Sequence, residues 1–188
     1  MRIASKTAVA SESMHKRYVP VKVCLLFVGE SPPASGRLFY HADSGLYRAI
    51  RETFIAAFPA MAARDFLAAF SSLGCYLVDL SATPVDRLPA ALRKKACTAG
   101  EARLRKTIKQ FQPKIIITLV RSIAPHVERS LNQTNWRGAH LALPYPGRWH
   151  HHRAAFKSAL IPLLQRELQA ISSTTLRQDT SRRNESSS

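Results

Sequence analysis

Four short apolar runs alternate with helical patterns along the chain. The runs cover residues 21–28, 75–80, 114–120 and 140–143. Nearly continuous runs of this length are typical of strands buried on both faces, as in parallel sheets. Helical patterns cover residues 46–58, 60–72, 101–111, part of 122–132, and 154–171. This order predicts an α/β fold, a three-layer α/β/α sandwich around a mainly parallel four-stranded sheet.

A chain of 188 residues has room for one ordinary domain. Residues 1–18 are polar and aperiodic, and we expect a flexible segment there. Residues 172–188 hold nine Ser or Thr and a single large apolar residue, which predicts a disordered tail. The predicted domain therefore covers residues 19–171. The sequence has no apolar run long enough to span a membrane as a helix.

The chain is strongly basic, with 28 Lys and Arg against 12 Asp and Glu and a formal charge of +16. Most of this excess lies in the predicted domain rather than in the two tails. A basic domain of this kind favours a polyanionic partner, and above all nucleic acid. The alternative is a basic surface that only improves solubility.

Three cysteines, Cys24, Cys75 and Cys97, are too few and too scattered for a disulfide framework. They also cannot supply the four thiolates of an iron–sulfur cluster. We therefore expect no cofactor and a reducing setting, cytoplasmic and associated with the nucleoid. The triplet His150–His152 does not predict a metal site, because consecutive helical residues point about 100° apart.

In parallel sheets, binding sites lie beyond the carboxyl ends of the strands. The first such segment, residues 29–45, begins with Gly29, which permits a tight turn, and continues with the stiff pair Pro32–Pro33. Phe39 and Tyr40 could stack on a flat ring. The segment lacks the spacing of a phosphate loop and of a dinucleotide fingerprint. The alternative is a stiff connecting loop that carries a buried aromatic residue.

The second segment begins at Asp79, which ends an otherwise apolar run. A carboxylate in such a place costs several kcal/mol unless it is paired or hydrogen-bonded, so a specific role is expected. The alternative role is to cap a neighbouring helix or loop amide.

A third segment follows the fourth apolar run and combines a rigid turn with basic and aromatic side chains. It is predicted to contact nucleic acid by clamping phosphates and by stacking or wedging. The alternative is an ordinary charged helix cap. The predicted contact residues are Pro144, Tyr145, Pro146, Gly147, Arg148, Trp149 and Arg153.

Taken together and in this order, the three segments resemble the uracil-DNA glycosylase superfamily over roughly residues 21–169. The resemblance implies the sandwich fold predicted above and the hydrolysis of a damaged base from DNA. It places Gly29-Glu30-Ser31-Pro32 at the loop that activates water, with Glu30 similar to the glutamate of G-E-A-P-G branches. The best-known branch has aspartate where Ser31 stands.

The resemblance also assigns the base pocket. Gly29 and Pro32 belong to its loop, and Phe39 or Tyr40 would stack on the flipped base. Asp79 falls where the uracil-reading asparagine stands in the best-known branch.

Leu143 replaces the catalytic histidine of the family's His-Pro-Ser-Pro turn, and the intercalating wedge would lie within residues 147–149. A proton donor would then come from His150, His151 or His152. Ser31 would at most position water.

Asp79 changes the expected base preference. Asparagine both donates and accepts hydrogen bonds, as uracil requires, whereas an ionised carboxylate only accepts. Asp79 would therefore favour an exocyclic amine such as cytosine N4, unless it is protonated or turned away.

The leading interpretation is a monomeric DNA-repair glycosylase with altered base preference, which acts on DNA with a damaged base or in single strands. The first alternative is a catalytically weak or inactive DNA-binding module of the same fold. The second is a small-molecule enzyme whose basic face binds phosphorylated metabolites.

Overall fold

The computed structural model describes residues 16–147 and 149–185. Its centre is a four-stranded sheet in which every strand pair is parallel and the order is β2-β1-β3-β4. The strands are β1 (Leu25–Gly29), β2 (Cys75–Asp79), β3 (Ile115–Thr118) and β4 (Ala139–Ala142). The predicted α/β fold with a parallel sheet is confirmed.

The two central strands are fully buried, which explains their continuous apolar sequences. Every residue of β1 and β3 is buried, whereas β4 at the sheet edge is partly exposed. The first apolar run begins at residue 21, but β1 begins only at Leu25. Val21 itself is fully exposed and lies outside the sheet.

Five α-helices that lie wholly within the described residues connect and cover the strands. They are α1 (Gly45–Ala57), α2 (Phe66–Ser72), α3 (Ala90–Phe111), α4 (Ala124–Asn132) and α5 (His150–Glu185). Helix α1 packs against α5, and α3 packs against α4, so the sheet is flanked by two helix pairs. Within the described residues, no helix is long and apolar enough to cross a membrane.

The predicted helix over residues 60–72 is two elements. Pro59–Ala63 forms a 3-10 turn, and α2 begins after Asp65. The Asp65 carboxylate caps α2 by accepting hydrogen bonds from the amides of Leu67 and Ala68 at 3.0 and 3.3 Å. An N-cap of this kind fixes where a helix begins.

Helix α3 begins at Ala90, eleven residues before its predicted start at residue 101. Most of its first two turns faces solvent and carries no apolar periodicity, so the pattern did not reveal it. Gly100 lies against the Leu80 carbonyl, where a Cβ would collide with it. The missing side chain lets α3 pack directly on the chain that leaves β2.

Helix α5 begins at His150 and continues to Glu185, beyond both predicted ends. The predicted disordered tail therefore carries helical backbone as far as Glu185. No Gly or Pro follows Pro162 to end the helix. The predicted flexible segment lies outside the described residues up to residue 15, so the domain boundaries stay a prediction.

Candidate active site

A cavity of about 500 Å³ opens at the carboxyl ends of β1, β2 and β3, and we call it the strand-end cavity. Its volume falls within the range of small-molecule pockets. It brings together six of the predicted site residues, from three separate segments of the chain. These are Gly29, Glu30, Ser31, Phe39, Asp79 and Tyr145.

Gly29 and Asp79 are partners in the register of β1 and β2. A Cβ on Gly29 would collide with Asp79 Oδ1, so the carboxyl of Asp79 lies directly against the Gly29 backbone. The Asp79 backbone is held as well, because Arg103 Nη2 donates hydrogen bonds to the carbonyls of Asp79 and Leu80 at 2.6 and 3.1 Å. The absence of a side chain at Gly29 therefore makes room for the acid.

The Asp79 carboxyl is largely removed from solvent, although the residue keeps some exposed surface. Burial raises the pKa of Asp79 to about 7, the positive charge of Arg103 opposes this rise, and the negative charge of Glu30 adds to it. Near neutral pH, Asp79 is therefore present both as a carboxylic acid, which donates and accepts, and as a carboxylate, which only accepts. The protonated acid is the exception that the expected base preference allowed for, and that preference stays a prediction.

Glu30 forms a two-pronged ion pair with Arg93, whose Nε and Nη2 donate to Oε1 and Oε2, each at 2.5 Å. The Glu30 side chain is 13% exposed, and Cys97 Sγ lies 4.0 Å from Oε1. Arg93 thus fixes the orientation of the Glu30 carboxylate. Sequence reasoning missed Arg93, because it lies in the part of α3 that was not predicted and 63 positions from its partner.

Ser31 has a positioning role in the loop. Its Oγ accepts a hydrogen bond from the Val85 amide at 3.2 Å, and the nearby Asp86 carboxylate accepts one from the Ala34 amide at 3.2 Å. These bonds tie the loop after β1 to the loop after β2. That Ser31 would at most position water stays a prediction.

Of the two aromatic candidates, Phe39 lines the cavity and Tyr40 lies behind it. Tyr40 is buried, and its hydroxyl accepts from the Leu77 amide at 2.9 Å and donates to the Leu77 carbonyl at 3.2 Å. Its ring is stacked on Tyr18 at 5.4 Å. The Tyr40 hydroxyl therefore holds β2, which leaves Phe39 as the aromatic residue that lines the cavity, and stacking on a base stays a prediction.

The turn after β4 contributes one residue to the cavity, Tyr145. Burial raises the pKa of the Tyr145 hydroxyl, and the nearby charge of Asp79 adds to the effect. Pro144 and Pro146 are buried within the turn. Leu143, which stands at the family's histidine position, is 3% exposed and belongs to the core.

The other predicted contact residues that the structure describes do not line the cavity. Trp149 is 56% exposed and stacks on His151 with ring centroids 6.4 Å apart. Arg153 Nε donates to the Pro146 carbonyl at 3.4 Å, which ties α5 to the turn. Arg148 lies outside the described residues.

Within the described chain, no histidine lines the strand-end cavity, and His150, His151 and His152 form the first turn of α5. That one of them donates a proton stays a prediction. The residue of this segment that lines the cavity is Tyr145. In the part of the chain that the structure describes, no group of His, Cys, Asp or Glu could hold a metal ion.

The fold and the strand-end cavity together define an α/β domain with a cavity at the carboxyl ends of its parallel strands. A family model, the Uracil DNA glycosylase superfamily, matches residues 16–169 of the chain. The chain belongs to this superfamily. A search of curated proteins found no significant match.

Proposed function

We propose that this protein is a DNA glycosylase that hydrolyses the N-glycosidic bond of a flipped, damaged or deaminated base. Membership of the superfamily and the net charge of +16 support DNA as the partner. The observation that carries the proposal is the position of Asp79, which lies against Gly29 and lines the strand-end cavity. This is the position that would read the edge of an extruded base.

Asp79 sets the base preference through its protonation state. As an acid it can donate to uracil O4 and accept from N3–H, whereas as a carboxylate it only accepts and so suits an exocyclic amine. Because its pKa is about 7, the ratio of acid to carboxylate changes from about ten to one at pH 6 to about one to ten at pH 8. Uracil is therefore expected to lose preference as the pH rises.

The reaction breaks the bond between the sugar C1′ and the base nitrogen and joins a water oxygen to C1′. The base leaves with the bonding electron pair and takes up a proton, while the sugar passes through a cationic transition state. Glu30, held by Arg93, supplies the negative charge beside that cation. Tyr145 lines the cavity, and its hydroxyl is the proposed donor for the departing base.

The structure also gives a specific reason to consider the second function, a DNA-binding module with weak or no activity. Both oxygens of Glu30 are occupied by Arg93, and the apolar Leu143 stands at the family's histidine position. In that case the exposed Trp149 and the basic surface would still bind DNA. The monomeric state and the cytoplasmic location stay predictions.

A base-release assay tests the proposal. End-labelled oligonucleotides carry uracil, hypoxanthine, xanthine or a mismatched cytosine, in single and double strands, with an abasic control. Release is scored by alkaline cleavage at pH 6 and pH 8. We expect the ratio of uracil release to cytosine release to fall at pH 8 in the wild type and to be independent of pH in Asp79→Asn.

Each outcome is informative. Release with an unchanged ratio would show a glycosylase in which Asp79 does not read the base. No release of any base, with salt-sensitive DNA binding, would select the binding module. Release of bases from free nucleosides alone would support a small-molecule enzyme.

A further inference from the structure

A second cavity, of about 490 Å³, opens between the beginnings of α3 and α4, and we call it the α3–α4 cavity. Glu30 and Arg93 line both this cavity and the strand-end cavity. Their ion pair is therefore the wall between the two. The α3–α4 cavity contains none of the predicted DNA contacts of residues 144–153.

The lining of the α3–α4 cavity is dominated by positive charge. Arg93, Lys94 and Arg129 face it, and Glu30 is its single carboxylate within the described chain. Lys94 is exposed, and its ammonium forms no ion pair with any side chain in the described ranges. Among the described residues that line it, the cavity therefore offers one cationic group, Lys94, that is not already in an ion pair, beside the paired Arg93 and Arg129.

Arg129 is held in place from behind by a buried pair. Glu101 Oε1 accepts from Arg129 Nη2 at 2.7 Å and from Nε at 3.2 Å, and it lies 2.7 Å from His126 Nδ1. Burial alone would raise the pKa of Glu101, but the bonds from Arg129 and His126 hold it below its ordinary value. Glu101 thus stays ionised and fixes Arg129, whose side chain remains 48% exposed toward solvent.

We propose that the α3–α4 cavity is an anion subsite that holds one phosphodiester group of the DNA backbone. Guanidinium and ammonium groups are the usual partners of phosphate oxygens, and a guanidinium fixed by a carboxylate loses less freedom when it binds. The identity of the anion rests on the proposed function, since it assumes that DNA is the partner. The subsite would place a phosphate one ion pair away from Glu30.

The test combines a protein charge with individual DNA charges. Binding of a labelled uracil-containing duplex is measured for wild type and Lys94→Gln over a range of salt concentrations. Lys109→Gln is the matched control, because Lys109 is exposed on the same helix, about 22 Å away along its axis. The slope of log K against log salt is negative. We expect Lys94→Gln to make it shallower by about 0.9, and Lys109→Gln to leave it unchanged.

The same proteins are then tested on duplexes in which one phosphate at a time is replaced by an uncharged methylphosphonate. At one position near the lesion, the replacement should weaken DNA binding by the wild type and leave DNA binding by Lys94→Gln unaffected. Binding by Lys109→Gln should weaken as it does for the wild type. Equal weakening of all three proteins at every position would overturn the subsite. Thermal unfolding of each variant confirms that it is folded.

Inorganic phosphate is the second probe. It distinguishes a site for a free phosphate anion from a site for a phosphate of the DNA backbone. If phosphate stabilises wild type more than Lys94→Gln but no methylphosphonate position couples to Lys94, the cavity binds a free anion, which overturns the assignment to DNA. The binding cycle does not need base release. A methylphosphonate effect that depends on Lys94, without base release, would support the subsite and refute the glycosylase. Base release without such an effect would support the glycosylase and refute the subsite.

Discussion

The buried acid Asp79 should destabilise the folded protein as the pH rises from about 4 to 7. Its pKa rises from 3.8 to about 7 on folding, chiefly through burial, with Arg103 opposing and Glu30 adding to the rise. The folded state then holds a proton that the unfolded state releases between these two values. Stability must therefore fall as the pH rises from about 4 to 7 and become level above that, since both states are then ionised.

The magnitude follows from the two pKa values. Each pKa unit corresponds to about 1.4 kcal/mol, so the full effect is roughly 4 kcal/mol at pH 8. At pH 5 the same relation gives a loss of folding stability of about 2 kcal/mol. Asp79→Asn has no proton to release, so its stability relative to wild type should increase by roughly 2–3 kcal/mol between pH 5 and pH 8.

Urea unfolding followed by tryptophan fluorescence at both pH values measures this difference. Asp43→Asn is the control, because Asp43 is exposed on the surface and should show no such change. All other titrating groups are shared by wild type and variant and cancel in the comparison. An Asp79→Asn effect equal at pH 5 and pH 8 would refute the reasoning that burial holds the proton on this acid.

Three further substitutions test the architecture of the site. Gly29→Ala should destabilise the fold by about 1–3 kcal/mol in urea unfolding, since the added methyl collides with the acid behind it. Tyr40→Phe should cost about 1–2 kcal/mol by leaving the Leu77 backbone groups without a partner, and base release per folded molecule should not change. Arg93→Lys keeps the positive charge but loses the two-pronged hydrogen bonding to Glu30. Single-turnover base release should therefore fall by about tenfold or more, with little change in DNA affinity. Equal losses in base release and DNA affinity would contradict a positioning role toward Glu30.

The sheet could be predicted because its strands are buried on both faces and stand out as continuous apolar runs. Glu30 and Asp79 could be placed at one edge, since the carboxyl ends of parallel strands meet there. Arg93 could not be placed, because its contact with Glu30 depends on how a largely exposed stretch of helix packs in three dimensions. Phe39 and Tyr40 are neighbours of similar chemistry, and only the fold decides which of them faces the cavity.

The close approach of Gly100 to the Leu80 carbonyl has a mechanical consequence. Helix α3 is attached at three points along its length, by Arg93 to the loop after β1, and by Gly100 and Arg103 to the chain around the end of β2. Because these three attachments tie the helix to both strands, we expect this half of the site to keep its shape. We then expect the widening needed to admit a large flat group at the opposite rim, where the turn after β4 carries Tyr145.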